Sequence, residues 1–150
     1  MYLKLSKFLQ SISFKLKQKS LYFELKYFIK NKKTYLKLIS GYERGIGKTY
    51  TLLQLAHKYK CPVAVPNYMS GEYLKNEYKK LYNKQLNIIV TNESSKGRRE
   101  KMILCEEGIT YKQINEILKP MTEIIVGYKT PDYKSDLELF KKEYKYNWID

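Results

Sequence analysis

Gly45-Ile46-Gly47-Lys48-Thr49 holds the parts of a phosphate-binding loop. Glycines let backbone N–H groups curve inward toward phosphate oxygens. A lysine at the position of Lys48 reaches the β- and γ-phosphates, and a hydroxyl at the position of Thr49 ligates Mg²⁺. Arg44, inside the loop, is placed to touch phosphate or to hold the loop. Tyr50 follows it, next to a base or in packing. The full spacing G-x-x-x-x-G-K-[ST] needs glycine at position 42. Tyr42 stands there, with Gly41 one place earlier, and Gly45 partly compensates. The competing reading is a lysine-rich turn ahead of an ordinary helix.

A phosphate loop works with an acid-ended strand. One acid holds the magnesium, usually through water, and a second orients and deprotonates the attacking water. Met102-Ile103-Leu104-Cys105 is an apolar run that ends in Glu106-Glu107. Glu106 suits the first task and Glu107 the second. Taken alone, the pair reads as a solvated strand end. Downstream of a phosphate loop it reads as the second half of one site.

The surrounding pattern supplies elements to position these groups. Tyr35 to Ile39 reads as a strand, residues 41–47 as a loop, and Thr49 to Tyr59 as a helix. A phosphate would then meet the helix N-terminus, where backbone donors lack partners. Pro62 to Pro66 is a short strand, Leu74, Tyr78, Leu81 and Tyr82 mark a helix, and Leu86 to Val90 and Lys101 to Cys105 are strands. Thr110-x-x-Gln113 is a capping box whose helix ends at Pro120. Glu123 to Val126 is a further strand, and Ser135-x-x-Glu138 caps a last helix. Strands alternating with helices predict an α/β fold, a three-layer sandwich with a mainly parallel sheet, over residues 34–150. Residues 92–100 are too few for a crossover helix. The strands around them therefore form a hairpin-like pair, or residues 86–91 are a partial edge strand.

The 150-residue chain has a formal net charge of +14. Residues 1–33 hold nine lysines and one acid, Glu24, which makes +8 of that total. A balance this basic points to a polyanion. Leu5, Phe8, Leu9, Ile12 and Leu16 recur at helical spacing, and Leu21, Leu25, Phe28 and Ile29 repeat the pattern. These residues predict one or two basic amphipathic helices. Three readings stand for them: an arm on DNA or RNA, a contact with an anionic membrane surface, or ordinary packing on the sheet. Cys61 and Cys105 have no zinc-site spacing and read as buried free thiols, and His57 as structural. No transmembrane segment or signal peptide is legible, which predicts a cytoplasmic protein (host cytoplasm if viral).

Together, Gly45 to Thr49 and Met102 to Glu107 resemble the motifs of P-loop NTPases. The class has an extra sheet strand and a catalytic glutamate, and includes helicase-like and viral or phage packaging-type ATPases. The likeness covers roughly residues 34–130. It implies ATP and Mg²⁺ as cofactors, with Lys48 and Glu107 catalytic. Arg44, Gly45, Ile46, Gly47, Lys48, Thr49 and Tyr50 would hold the nucleotide. Thr49 and Glu106 would hold the metal, Glu106 standing where the family has aspartate. Gly97-Arg98-Arg99 resembles the lead-in to the acid-bearing strand. Arginine is scarce in this chain, and Arg98 or its neighbour Arg99 would act as an arginine finger across a subunit interface, unless the pair is solvated charge or binds phosphate non-specifically. Thr130 would end a sensor strand. The short domain implies a homo-oligomer or a partner subunit. Two other functions remain open. A small nucleotide or nucleoside kinase would need an arginine lid, with only Ser94 to Glu100 to form it. A non-catalytic nucleic-acid-binding protein with a decayed site would account for Tyr42 and Glu106. No N-K-x-D signature is present, which favours ATP over GTP.

Overall fold

The computed structural model describes residues 1–39, 47–92, 95 and 97–130. The loop residues Gly41, Tyr42, Arg44, Gly45 and Ile46, Ser94 of the lid candidate, and the helix expected from Ser135 lie outside the described residues. The elements run α1 (Tyr2–Lys30), β1 (Tyr35–Leu38), α2 (Lys48–Tyr59), β2 (Val63–Val65), α3 (Tyr68–Tyr82) and β3 (Ile88–Val90). They continue with β4 (Ile103–Cys105), the short α4 (Tyr111–Gln113), a π-helical turn (Ile114–Leu118) and β5 (Ile125–Lys129).

The five strands form one parallel sheet in the order β1-β5-β4-β2-β3. β5 therefore lies between the strand that precedes Lys48 and the strand that precedes Glu106. The hairpin-like pairing of the strands around residues 92–100 is not what forms. β3 and β4 both run parallel to β2, on its two sides, and β3 is one of the two edge strands. Both strands span only three residues, roughly 10 Å at the usual rise. The chain therefore has only a short distance to return between them.

Strands buried on both faces must be apolar on both faces. Tyr35, Val63, Val65, Leu104, Val126 and Tyr128 pack under α1, α2 and α3. Leu36, Ala64, Ile89, Ile103, Cys105 and Ile125 pack against Ile109, Ile114, Leu118 and Met121 on the other side. The result is three layers. The Thr110 capping box forms: Thr110 Oγ1 accepts from Gln113 N at 3.2 Å, and Gln113 Oε1 accepts from Thr110 N at 2.9 Å. The last strand is displaced from expectation, Ile125–Lys129 instead of 123–126. Glu123 is exposed, while Gly127 and Lys129 are buried in the sheet.

Residues 1–33 hold one continuous helix, Tyr2–Lys30, after which Asn31 Nδ2 donates to Tyr27 O at 2.8 Å and Lys32 takes a positive φ of 52°. Its last turns are core: Leu21, Leu25, Phe28 and Ile29 are buried, and Phe28 stacks on Tyr35 with ring centroids 3.8 Å apart. Glu24, the only acid of this segment, accepts from the Tyr35 hydroxyl and from Lys37 Nζ at 2.8 Å, joining α1 to β1. Cys61 and Cys105 are buried free thiols, and burial pushes the Cys61 thiol up to about 12. His57 is held structurally, stacked on Tyr82 and hydrogen-bonded through Nδ1 to the Tyr78 hydroxyl at 3.0 Å.

Candidate phosphate-binding site

Parallel strands put all their C-terminal ends along one edge, and ligands of open α/β sheets bind there. α2 starts at that edge, after β1. Gly47 precedes it with φ 79°, a conformation that glycine adopts without strain. Thr51 N donates to Gly47 O at 3.0 Å, the first bond of the helix. Gly47 has no side chain to cap the helix, and no acid stands in the first turn, so the donors and positive dipole end there suit an anion. Lys48, Thr49 and Tyr50 occupy that first turn.

The acid pair arrives at the same edge. Glu106 N donates to Ala64 O at 3.0 Å, continuing the β4 ladder by one residue before the chain turns. Thr130 N donates to Glu107 O at 3.0 Å, so the end of β5 holds the turn in place. Lys48 Nζ and Glu107 Oε2 lie 3.4 Å apart, with the lysine side chain 12% exposed and the glutamate 35%. Two motifs far apart in sequence therefore meet side chain to side chain.

Glu106 behaves differently from its neighbour. Its Oε2 accepts from Gly108 N at 3.0 Å. Burial raises its carboxyl above the ordinary 4.5 and the Glu107 charge adds to this, while the Gly108 N–H and the Lys48 charge oppose it. A carboxyl with a raised folded pKa binds its proton more readily folded than unfolded. Its ionisation therefore costs stability above the folded pKa, and the cost fades as pH falls through that value toward 4.5. Glu106→Gln should accordingly raise the urea midpoint at neutral pH in metal-free buffer and flatten the pH dependence above 4.5. A lower midpoint for the variant would show that the charged form is stabilised instead.

The donor set fits magnesium. Mg²⁺ prefers hard oxygens and keeps several waters, taking one or two protein ligands plus substrate phosphates. Thr49 and Glu106 supply such oxygens, and the cation would neutralise charge on the phosphates beside them. Among the described residues no cluster of three or more His, Cys, Asp or Glu could hold a metal by itself.

A cavity of about 790 Å³ opens beside this edge, lined by Lys48, Thr49, Tyr50, Glu107, Tyr73 and Phe14 among others. Phe14 and Gln18 come from α1, and a Cβ on Gly47 would meet the Gln18 side chain at 2.8 Å. Neither residue, nor Tyr73 of α3, was singled out in the sequence. The signal was present in α1: Phe14, Gln18, Leu21, Leu25 and Phe28 recur at alternating spacings of four and three. That is one continuous stripe, buried from Leu21 onward and reaching the cavity through Phe14, with glutamine in an apolar place.

Arg98 is not brought to this edge. It precedes β4, at the opposite end of the sheet, where Nη2 donates to Glu100 Oε1 at 2.9 Å and to Asn87 Oδ1 at 3.3 Å. Within one chain it cannot reach a phosphate beside Lys48. Only a neighbouring copy could present it there. Arg99 is exposed at the same end. Comparisons with family models, with curated proteins and with solved structures found no match.

Proposed function

We propose that this protein binds ATP with Mg²⁺ and hydrolyses it. The observation that carries the reading is the meeting of Lys48 and Glu107, 3.4 Å apart at the C-terminal edge of the sheet. Two further features support it. β5 stands between β1 and β4, so one extra strand separates the strand before Lys48 from the acid-ended strand. The cavity beside the helix start is within the size range of small-molecule sites, roughly 300–1,000 Å³.

In this reading the phosphates sit at the N-terminus of α2, and the Lys48 ammonium exchanges its Glu107 partner for β- and γ-phosphate oxygens. Glu107 is then released toward the water that attacks the γ-phosphorus. It accepts that water's proton as the new P–O bond forms and the bond to the β-phosphate oxygen breaks. Thr49 and Glu106 would hold the cation, which would neutralise charge on the phosphates. Phe14, Tyr50 and Tyr73 offer ring surfaces for the base.

Titration calorimetry with Mg²⁺-ATP tests the binding half. The native chain should bind, and Lys48→Ala should weaken binding by about 100-fold or more, since it removes the charge that faces two phosphates. A native chain that takes up no heat from ATP or GTP would sink the proposal. Equal affinity of native and variant would place the nucleotide elsewhere.

A further inference from the structure

α1 carries two apolar stripes, and they face opposite ways. At 3.6 residues per turn, Phe14, Gln18, Leu21, Leu25 and Phe28 share one arc. That arc faces the protein: its later members are buried, and Phe14 and Gln18 reach the candidate site. Leu5, Phe8, Leu9, Ile12 and Leu16 share a second arc, centred about 180° from the first. These five side chains are 39% to 62% exposed. Residues 2–17 of the helix are exposed, with this second stripe on the side away from the site. Such a contiguous apolar strip marks a contact surface.

The charges around the strip select its occupant. At 3.6 residues per turn Lys4, Lys15 and Lys19 flank this strip, while Lys7 and Lys17 lie toward the other arc, and residues 1–20 contain no carboxylate. A second copy would set these flanking cations against the same cations. A nucleic acid would engage the lysines and leave Leu5, Phe8, Leu9, Ile12 and Leu16 in water. An anionic bilayer satisfies both, because apolar side chains enter the acyl boundary while lysines meet headgroup phosphates. No described helix is long and apolar enough to cross a membrane, so α1 would lie in the interface plane. We infer that the outward face of α1, residues 2–16, docks the protein on an anionic phospholipid surface. The opposite face of the same helix then holds the candidate site just above the headgroups.

Vesicle sedimentation of the full chain tests this, comparing phosphatidylserine mixed into phosphatidylcholine with phosphatidylcholine alone. The native chain should pellet with the anionic vesicles and bind the neutral ones about 10-fold more weakly or less. Leu5→Ser/Phe8→Ser/Leu9→Ser should lower anionic binding on the order of 100-fold, with helical circular dichroism kept. Independently, Phe8→Trp in a Trp148→Phe background should show a blue-shifted emission on those vesicles only. A native chain that stays in the supernatant overturns the inference, as does an unshifted emission. So do equal binding by the triple variant, a dimer that the triple variant dissolves, and DNA binding without vesicle binding.

Discussion

Glu107→Gln should lower ATP turnover about a thousand-fold while leaving ATP bound, because the amide cannot accept the proton of the attacking water. Size and hydrogen-bonding reach are nearly unchanged, so the turn that Thr130 N holds through Glu107 O remains. Binding should even tighten modestly. The native carboxylate competes with phosphate for the Lys48 ammonium at 3.4 Å, and glutamine removes that competitor. The assay is single-turnover phosphate release at saturating ATP, beside equilibrium binding of the same preparation. A variant that turns over at the native rate would remove Glu107 from the chemistry. It would favour a transfer to some other acceptor, as in a kinase, and phosphate appearing on an added nucleoside would identify that case. Loss of binding together with turnover would mean that the carboxylate is structural.

The second large effect is on the fold. Gly127 stands in β5 opposite Leu36 of β1 and Cys105 of β4. A Cβ there would sit 2.1 Å from Cys105 O and 2.8 Å from Cys105 N. Both atoms are backbone in the middle of the sheet, with no side chain to swing aside. Gly127→Ala should therefore cost about 4 kcal/mol or more, among the largest single-residue effects. Stabilities of domains run roughly 5–15 kcal/mol, so much of the population would be unfolded or aggregated. Urea unfolding followed by far-ultraviolet circular dichroism measures it. The strain would also reach the site, since Cys105 is followed directly by Glu106 and Glu107. Folded survivors should bind ATP weakly. A variant within about 1 kcal/mol of native, the size of a typical point mutation, would show that β5 does not approach β4 in this register.

Much of the secondary structure was legible because burial leaves a local periodicity. The apolar spacing of Leu52, Leu53 and Ala56 located α2 to within a residue, and Thr110 with Gln113 marked a cap that forms as expected. Short apolar runs such as Val63-Ala64-Val65 read as strands, and their alternation with helices announced a parallel sheet. The candidate phosphate residues Gly47, Lys48 and Thr49 and the acids Glu106 and Glu107 were legible as motifs, because their chemistry requires particular side chains at fixed short spacings.

What sequence periodicity could not carry was anything set by long-range packing. The order β1-β5-β4-β2-β3 decided that Lys48 and Glu107 meet, that the strands around residues 92–100 do not pair, and that Arg98 stands at the far edge. Each of these depends on which strand lies beside which, and a strand's own residues report that it is buried without naming its neighbour. The same limit explains α1. Both of its apolar stripes were visible as helical spacing, yet spacing within each half does not show which stripe the sheet will cover. Packing against β1, with Glu24 joined to Tyr35 and Lys37, turned one stripe inward and left the other facing out.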